Sequence, residues 1–357
     1  MTPTGPVDLD DADALRALDG SGMLDAVASL AEHARASYET GLGIDPVPAL
    51  DGITSVAVCG MGGSAVAGDV LKQVFRQRLP VPVDVGRSPL LPAFAGPHTL
   101  VLVSSYSGNT SETLAAFGEA LERGCRIVAI TGGGELGASC AEHGVPVVPV
   151  PPGFQPRAAL AHLTFAMLGA LETAGLLPRL EADVAETERA VTAAAAALGP
   201  ETPQAANEAK GIAVWLGDRV PVIWGAEGIG ALGAMRWKTQ MNENGKIPAW
   251  YASLSELDHN EVVGWVEPVG ERFAILGLRH DGEHPELQER FPLSLQIARD
   301  AGAQTREVAV SGFGPLATLF ALVTIGDFAS CYVGLLRGVD PTPVAAIDRL
   351  KAALAGS

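Results

Sequence analysis

The fold is decided by the stretch VAVCGMGGS at residues 56–64, in which a short apolar run leads directly into a glycine-rich turn. Four apolar residues that precede glycines and a serine are typical of a buried β-strand ending in a tight turn. An Ala/Val-rich segment starts at about Ala65 and predicts a helix. Strand, turn and helix in this order form the repeating unit of a parallel α/β sheet.

The same order of elements recurs downstream. Residues 99–110 (TLVLVSSYSGNT) predict a second strand that ends in a hydroxyl-rich turn, and a helix is predicted to begin at Ser111. Residues 126–131 and 145–150 predict two further strands. Strands that alternate with helices predict a doubly wound parallel sheet covered by helices on both faces.

A second copy of this pattern follows an Ala- and Glu-rich segment that has no strand signal. Three pairs of segments resemble each other: 222–230 and 58–65, 274–282 and 101–108, and 302–310 and 124–130. We therefore predict an α/β fold with two doubly wound parallel-sheet subdomains related by internal duplication, with flanking helices. The predicted domains are a helical lead-in at 1–50, a first subdomain at 51–176, a helical linker at 177–210 and a second subdomain at 211–357.

Composition excludes several classes of protein. Of the 357 residues 48% are hydrophobic, which rules out a disordered chain. The 24 Lys and Arg against 41 Asp and Glu give a net charge of −17, which argues against nucleic acid or an anionic membrane as a partner. The acidic N-terminus does not resemble a secretory signal, and the longest apolar runs, such as 314–326, are too short to cross a membrane. We expect a cytoplasmic protein.

The four cysteines are expected to be reduced and buried. They are Cys59, Cys125, Cys140 and Cys331, which are far apart and form no CxxC pair. Such spacing is not typical of a disulfide framework or a zinc site, so we expect no metal ion.

Polar and glycine residues at the ends of the first two long strands predict an anion site. Parallel strands bring ligands to their carboxyl edge, where helix N-termini offer free backbone N–H groups. The predicted phosphate-binding residues are Gly62, Gly63, Ser64, Ser105, Ser107 and Thr110. Two alternatives remain open: a pair of ordinary Ser/Thr-capped turns, and a dinucleotide site in which Asp84 binds a ribose.

The second copy lacks these hydroxyl groups. Gly228 and Ile229 stand at the end of its first strand, and His280 and Asp281 stand at the end of the next one. The sequence therefore predicts that only the first copy binds an anion.

The two turns resemble the phosphosugar-binding part of a sugar isomerase (SIS) domain. Segments further along the chain narrow the resemblance to the bifunctional phosphoglucose/phosphomannose isomerase family. These segments are 154–160 (FQPRAAL), 236–246 (RWKTQMNENGK), 256–261 (ELDHNE) and 338–351 (GVDPTPVAAIDRLK). The resemblance runs from about 56 to 351 and is slight at 177–210 and before residue 51, segments without a clear functional counterpart.

The resemblance implies the roles of four catalytic residues. Glu243 would move a proton between C1 and C2 of the sugar, and Arg157 would stabilise the enediolate. His259 and Lys351 would open the sugar ring. The resemblance also implies a homodimer in which His259 reaches the active site of the partner subunit. A single base that serves both carbons requires no cofactor.

The residues themselves support these roles unequally. Glu243 is predicted near the end of a helix that starts at about Ala231, where the negative end of the helix dipole suits a general base. The predicted buried stripe of that helix is Leu232, Met235, Thr239 and Asn242. A solvated glutamate at a helix end is the alternative, and Glu256 is the next candidate for the base. Lys246, one turn beyond Glu243, is expected only to cap the helix.

The other three residues have simpler explanations as well. His259, alone, is typical of a surface or capped loop. Arg157 opens a helix predicted at 158–171, a position that an anion or a surface salt bridge would explain. Lys351 lies on a helix predicted at 343–354, and only the resemblance selects it.

The sequence thus predicts an aldose–ketose isomerase for phosphorylated hexoses. It would interconvert glucose 6-phosphate, mannose 6-phosphate or both with fructose 6-phosphate through a cis-enediol. The alternatives are an inactive or amino-sugar-specific relative and a phosphosugar-sensing regulator. A regulator would normally carry a basic helix-turn-helix, whereas residues 1–50 are acidic.

Overall fold

The structure is a computed structural model that describes residues 7–47, 49–265 and 272–355, without the side chains of residues 351, 354 and 355. The strands are β1 Ser55–Cys59, β2 Val83–Gly86, β3 Thr99–Ser105, β4 Arg126–Thr131, β5 Val147–Pro149, β6 Val220–Ala226, β7 Trp250–Leu254, β8 Phe273–His280 and β9 Gln304–Val310. The helices are α1 Ala12–Leu18, α2 Met23–Ala28, α3 Leu30–Leu42, α4 Gly62–Val74, α5 Ser111–Glu122, α6 Gly134–His143, α7 Leu160–Thr173, α8 Glu181–Leu198, α9 Glu208–Leu216, α10 Ile229–Glu243, α11 Pro285–Asp300, α12 Pro315–Leu336 and α13 Ala345–Ala355.

Two parallel sheets confirm the predicted α/β fold. The first sheet has the strand order β2-β1-β3-β4-β5, and the second has the order β7-β6-β8-β9. All of the pairings are parallel. Because the first four strands of each sheet follow the same order, the two sheets agree with the predicted duplication. The fifth strand, β5, belongs to the first sheet alone.

The sequence analysis did not predict two of the strands, β2 and β7. Each lies at an edge of its sheet. β2 carries an aspartate between two valines, and all four of its residues are half-buried. β7 exposes Trp250 and Tyr251. An edge strand has a neighbour on one side only, so it does not need the continuous apolar run that marks a central strand.

The chain divides into two compact units. The unit that holds the first sheet comprises residues 29–192 and 313–320, and the other comprises 1–28, 193–312 and 321–357. In the first unit α3 and α7 approach closely through glycines. A Cβ at Gly41 would lie 2.2 Å from the carbonyl oxygen of Ala166, and one at Gly169 would lie 2.3 Å from that of Tyr38. The domain boundaries predicted after residues 50, 176 and 210 stay predictions.

The helix α12 is longer than the apolar run that the sequence suggested. It spans 22 residues because the apolar pattern continues past Gly326 to Leu336. By length and composition it is the one described helix that could cross a membrane, but 94% of its most apolar window is buried inside the protein. That burial is the environment of a core helix.

Two stacked histidines form a cluster in the first unit, in which His162 is buried and His33 is half-buried. The rings of His33 and His162 lie 4.3 Å apart, and Phe154 packs against both. The Ser37 hydroxyl lies 2.7 Å from Nδ1 of His162, and Nε2 of His162 has no partner among the described residues. Burial is the larger cause and the neighbouring His33 the smaller cause that together lower the pKa of His162 to about 4.

We predict that this cluster makes the stability of the protein depend on pH. The unfolded chain protonates His162 below its ordinary pKa of about 6.5, whereas the folded protein keeps it neutral down to about 4. The unfolded state therefore binds more protons, and the free energy of unfolding falls as the pH drops from about 6.5 to about 4, by on the order of 3 kcal/mol. Urea unfolding at several pH values measures this slope.

The variant His162→Phe should flatten that slope because it keeps a ring and removes the titrating group. His143→Phe, at an exposed histidine of the same unit, is the control and should leave the slope unchanged. Equal slopes in wild type and His162→Phe would contradict the prediction.

Candidate active site

The glycine-rich turn after β1 leads into α4 at the carboxyl edge of the first sheet. Gly62 has φ +51°, which favours glycine, and Gly63 packs so closely that an added Cβ would lie 2.9 Å from the carbonyl oxygen of Pro156. Ser64 lies in the first turn of α4 and is buried. Its hydroxyl accepts a hydrogen bond from the Tyr106 N–H at 3.3 Å. The helix starts three residues earlier than predicted, at Gly62.

The hydroxyl-rich turn after β3 lies beside the first one. The buried Ser105 hydroxyl accepts from the Gly108 N–H at 3.2 Å and donates to Thr110 Oγ1 at 3.4 Å. Ser107 is exposed, and Thr110 immediately precedes α5 without bonding its N–H groups through the side chain. Gly108 has φ +68°, and a Cβ there would lie only 1.8 Å from the Gly133 carbonyl oxygen. Only glycine therefore allows this turn to close.

Arg157 lies beside the glycine-rich turn. It lies in the 3-10 helix Pro156–Ala159, and its Cα would be 3.6 Å from a Cβ at Gly63. Only 3% of Arg157 is exposed, so the surface salt bridge weighed as an alternative is wrong. The helix predicted at 158–171 begins as this 3-10 turn and becomes α-helical at Leu160.

Tyr106 was not predicted as a site residue, but it connects the parts of the site. Its backbone N–H donates to Ser64, and its hydroxyl donates to the Pro151 carbonyl at 2.9 Å and accepts from the Phe154 N–H at 2.8 Å. It thereby ties both turns to the segment that leads to Arg157. The sequence signal that could have identified Tyr106 is its position between Ser105 and Ser107 in the hydroxyl-rich turn.

The two turns predict a specific loss of phosphate affinity. Ser107→Ala combined with Thr110→Ala removes two hydroxyl donors from the turn, and we expect the KM for a phosphorylated sugar to rise about tenfold to a hundredfold. Steady-state kinetics measure the effect. Ser111→Ala is the control, because that hydroxyl donates to Glu112. An unchanged KM in the double variant would contradict the phosphate assignment.

In the other unit, Glu243 is the last residue of α10, as predicted. The predicted buried stripe of this helix is wrong, because Met235, Thr239 and Asn242 are only half-buried. The fully buried face instead includes Arg236 and Trp237. This face can be polar because Arg236 donates to the buried Asp327, with its Nη2 2.7 Å from Oδ2, and Trp237 Nε1 donates to the Leu322 carbonyl oxygen at 2.7 Å.

Hydrogen bonds fix the end of α10 around Glu243. The side chain of Asn242 donates to the Ile247 carbonyl at 2.8 Å, and that of the buried Asn244 donates to Ser330 Oγ at 3.0 Å. Lys246 donates to the Glu243 backbone carbonyl, which confirms the predicted cap, and also to the Pro341 carbonyl at 2.7 Å. Lys246 therefore ties the helix end to the segment before α13, a role beyond simple capping.

Glu243 faces a pocket of about 640 Å³ within this unit. The pocket has a polar side formed by the end of α10 and an apolar side formed by the end of α1 and the segment around the start of α13. Its lining residues are Ala17, Leu18, Gly20, Asn242, Glu243, Lys246, Gly338, Val339, Asp340, Pro343, Val344, Ala345, Ala346 and Ile347. A volume of this size is in the range of small-molecule sites.

The remaining two predicted catalytic residues are His259 and Lys351. His259 ends the 3-10 helix Glu256–His259, is exposed, and is not among the described residues that line the Glu243 pocket. Asp258 beside it accepts from the Ser294 hydroxyl at 2.7 Å, which anchors this turn to α11. Lys351 lies on α13, which begins at Ala345 rather than 343, and its side chain lies outside the described part of the structure.

The equivalent edge of the second sheet has different chemistry. Arg279 pairs there with Glu283 and Glu307, and the Asp281 carboxylate accepts from the Gly312 N–H at 2.8 Å. This edge therefore holds three carboxylates and one guanidinium, a net negative charge that disfavours an anion. That only the first copy binds an anion stays a prediction, and this charge supports it.

Two parallel sheets of one strand order, with a serine-rich turn at the carboxyl edge of the first, define a sugar-isomerase (SIS) protein. Residues 205–354 match the family model of the bacterial phospho-glucose isomerase C-terminal SIS domain. The chain is 35% identical over 335 residues to the bifunctional phosphoglucose/phosphomannose isomerase of Caldicellulosiruptor bescii, an alignment that covers 93% of this chain and 99% of that protein. The chain belongs to the bifunctional phosphoglucose/phosphomannose isomerase family and is an isomerase.

Two further comparisons add to this result. The D-glucosamine-6-phosphate 4-epimerase of Sulfolobus acidocaldarius is 29% identical over 249 residues, which cover 69% of this chain and 75% of that protein. The crystal structure of a glucose-6-phosphate isomerase like protein from Thermus thermophilus matches with a TM-score of 0.65 at 21% identity, covering 97% of this chain and 99% of that one. The structural match supports the fold. Because the family binds phosphosugars, the dinucleotide alternative with Asp84 is set aside.

Proposed function

We propose that this chain interconverts both glucose 6-phosphate and mannose 6-phosphate with fructose 6-phosphate. The observation that carries the proposal is Glu243, a carboxylate on a helix end fixed by hydrogen bonds, which faces a pocket of about 640 Å³. A base held in place in a pocket of this size can meet a hexose at C1 and C2. The family relationship over nearly the whole chain supports the substrate class.

The reaction needs a proton acceptor, a donor to the enediolate oxygen and a phosphate site. Ring opening by His259 and Lys351 would expose the C1 aldehyde. Glu243 would take the C2 proton while the electron pair moves towards O1, giving a cis-enediolate whose negative oxygen Arg157 would stabilise. Glu243 would return its proton to C1 while the hydroxyl proton of O2 passes to O1 and the carbonyl forms at C2. The isomerisation moves hydrogen only within the sugar, so the proposed reaction needs no cofactor.

The phosphate group is assigned to the two turns of the first sheet. The turns supply the backbone N–H groups at the starts of α4 and α5 and the hydroxyls of Ser64, Ser105, Ser107 and Thr110. A dianionic phosphate gains from both helix N-termini because their dipoles present positive ends. Gly62 and Gly63 let the backbone approach it. A cytoplasmic location is part of this proposal, because it fits a negatively charged substrate.

The role of Glu243 predicts a loss of turnover rather than of binding. Glu243→Gln keeps the size of the side chain but cannot accept the proton, so kcat should fall by about 10²-fold to 10⁴-fold with KM largely kept. A coupled assay with each aldose phosphate measures both constants, in the presence of EDTA. Glu256→Gln is the matched control, since the Glu256 carboxylate is exposed and accepts from Asn260.

The control also tests the rival base. If Glu256→Gln loses turnover while Glu243→Gln keeps it, the base is Glu256 and the assignment to Glu243 is wrong.

We extend the proposal to a homodimer in which His259 serves the partner subunit. The exposed position of His259, outside the lining of its own chain's Glu243 pocket, supports this arrangement. Glu243→Gln and His259→Ala proteins, each inactive alone, should regain activity when mixed, because one site of each hybrid dimer has both residues intact. Subunit exchange is followed with two different affinity tags. Exchange without recovered activity would disprove the shared site.

An amino sugar is the second candidate substrate. The resemblance to a D-glucosamine-6-phosphate 4-epimerase favours it. The same assay with glucosamine 6-phosphate, followed by NMR at C2 and C4, separates the two: exchange at C2 of the neutral sugars supports the isomerase, and change at C4 of the amino sugar supports the epimerase.

A further inference from the structure

The turn between α1 and α2 forms part of the wall of the Glu243 pocket. Leu18 and Gly20 line the pocket together with the end of α10 and the segment at 338–347. Sequence reasoning left residues 1–50 without a function. The structure places this turn where it bounds the space beside Glu243.

The wall is held firmly in its unit. The side chain of Asp19, which is 5% exposed, accepts hydrogen bonds from the N–H groups of Met23 at 2.9 Å and Leu24 at 2.7 Å. Arg16 pairs with Asp25 at 3.1 Å across the turn and with Glu201. These contacts fix the conformation of the turn, and two of its residues, Leu18 and Gly20, line the same pocket as Glu243.

Gly20 keeps part of that volume open. A Cβ added at this residue would meet no atom within 4 Å, and its φ lies outside the left-handed region that favours glycine. Neither crowding nor backbone conformation therefore requires glycine at this position. Gly20 is exposed and lines the pocket, so the position could hold a side chain, and a long one could reach the space beside Glu243.

The proposed chemistry gives a reason for this free space. Glucose 6-phosphate and mannose 6-phosphate differ in configuration at C2, so their C2 protons point to opposite sides of the sugar. One carboxylate in a fixed position can reach both protons only if the C1–C2 end of the sugar turns about the C2–C3 bond. This rotation needs free volume beside the base.

We infer that Gly20 is a specificity-determining residue, which keeps open the space that lets Glu243 act on both C2 epimers. The inference rests on the proposed function. It concerns the side of the pocket that the turn between α1 and α2 forms, and it gives this turn a role in substrate choice.

Filling the space tests the inference. Gly20→Leu should change the ratio of kcat/KM for mannose 6-phosphate to kcat/KM for glucose 6-phosphate by at least tenfold, because one epimer loses the rotation it needs. Gly20→Ala should shift the ratio in the same direction by a smaller factor. The ratio is a sharper readout than activity, since a general loss of structure lowers both values together. Urea unfolding confirms that each variant is folded.

Gly96→Leu is the matched control, because Gly96 is also a loop glycine with no atom within 4 Å of an added Cβ and no left-handed φ. It lies in the other unit, outside the pocket lining, and should change the ratio less than twofold. If Gly20→Leu and Gly20→Ala leave the ratio unchanged, the inference is wrong.

The wild-type protein separates the two proposals. Turnover of only one aldose phosphate would overturn the role of Gly20 and the proposed dual specificity, and would leave the assignment as a phosphosugar isomerase intact. Turnover of neither would overturn the proposed function itself.

Discussion

Parallel pairing of β1 with β3 is the constraint on which the proposed phosphate site depends. Cys59 lies opposite Val103, so both strands run in the same direction and end at the same edge of the sheet. The turns that follow therefore emerge side by side, and the Tyr106 N–H can reach the Ser64 hydroxyl. An antiparallel pair would place these two turns at opposite edges. The helices that follow both turns then direct their N-termini towards the same space.

Buried polar contacts hold α10, the helix that ends at Glu243. Arg236 and Asp327, which are 2% and 3% exposed in their side chains, form an ion pair between α10 and α12. Removing one partner of such a pair leaves a buried charge and costs roughly 3–5 kcal/mol. The Ser330 hydroxyl accepts from Asn244 and donates to the Asp327 carbonyl, so the same stretch of α12 also holds the end of α10. An apolar interface would pack these helices without fixing the rotation of α10 as specifically.

The two sheets share one strand order but differ in the side chains at their carboxyl edges. Both keep the strand order, which is set by backbone hydrogen bonding and the burial of apolar side chains. Their carboxyl edges carry different side chains: hydroxyls and glycines on the first, carboxylates and an arginine on the second. Backbone geometry alone does not make an anion site, because the surrounding charge decides which ligand is stable there.

The sequence by itself determined the class of fold, the central strands and the two turns that follow β1 and β3. Each of these depends on local pattern: apolar runs bounded by glycine, and hydroxyls at a strand end. It missed β2 and β7, because edge strands do not need a continuous apolar run, and it assigned α10 the wrong buried face, because Arg236 is buried only through its contact with Asp327, 91 residues away. The burial of Arg157, the pocket in front of Glu243 and the place of Gly20 in its wall were decided by tertiary structure alone. They arise where segments distant in the chain meet, and no local pattern records which segments those are.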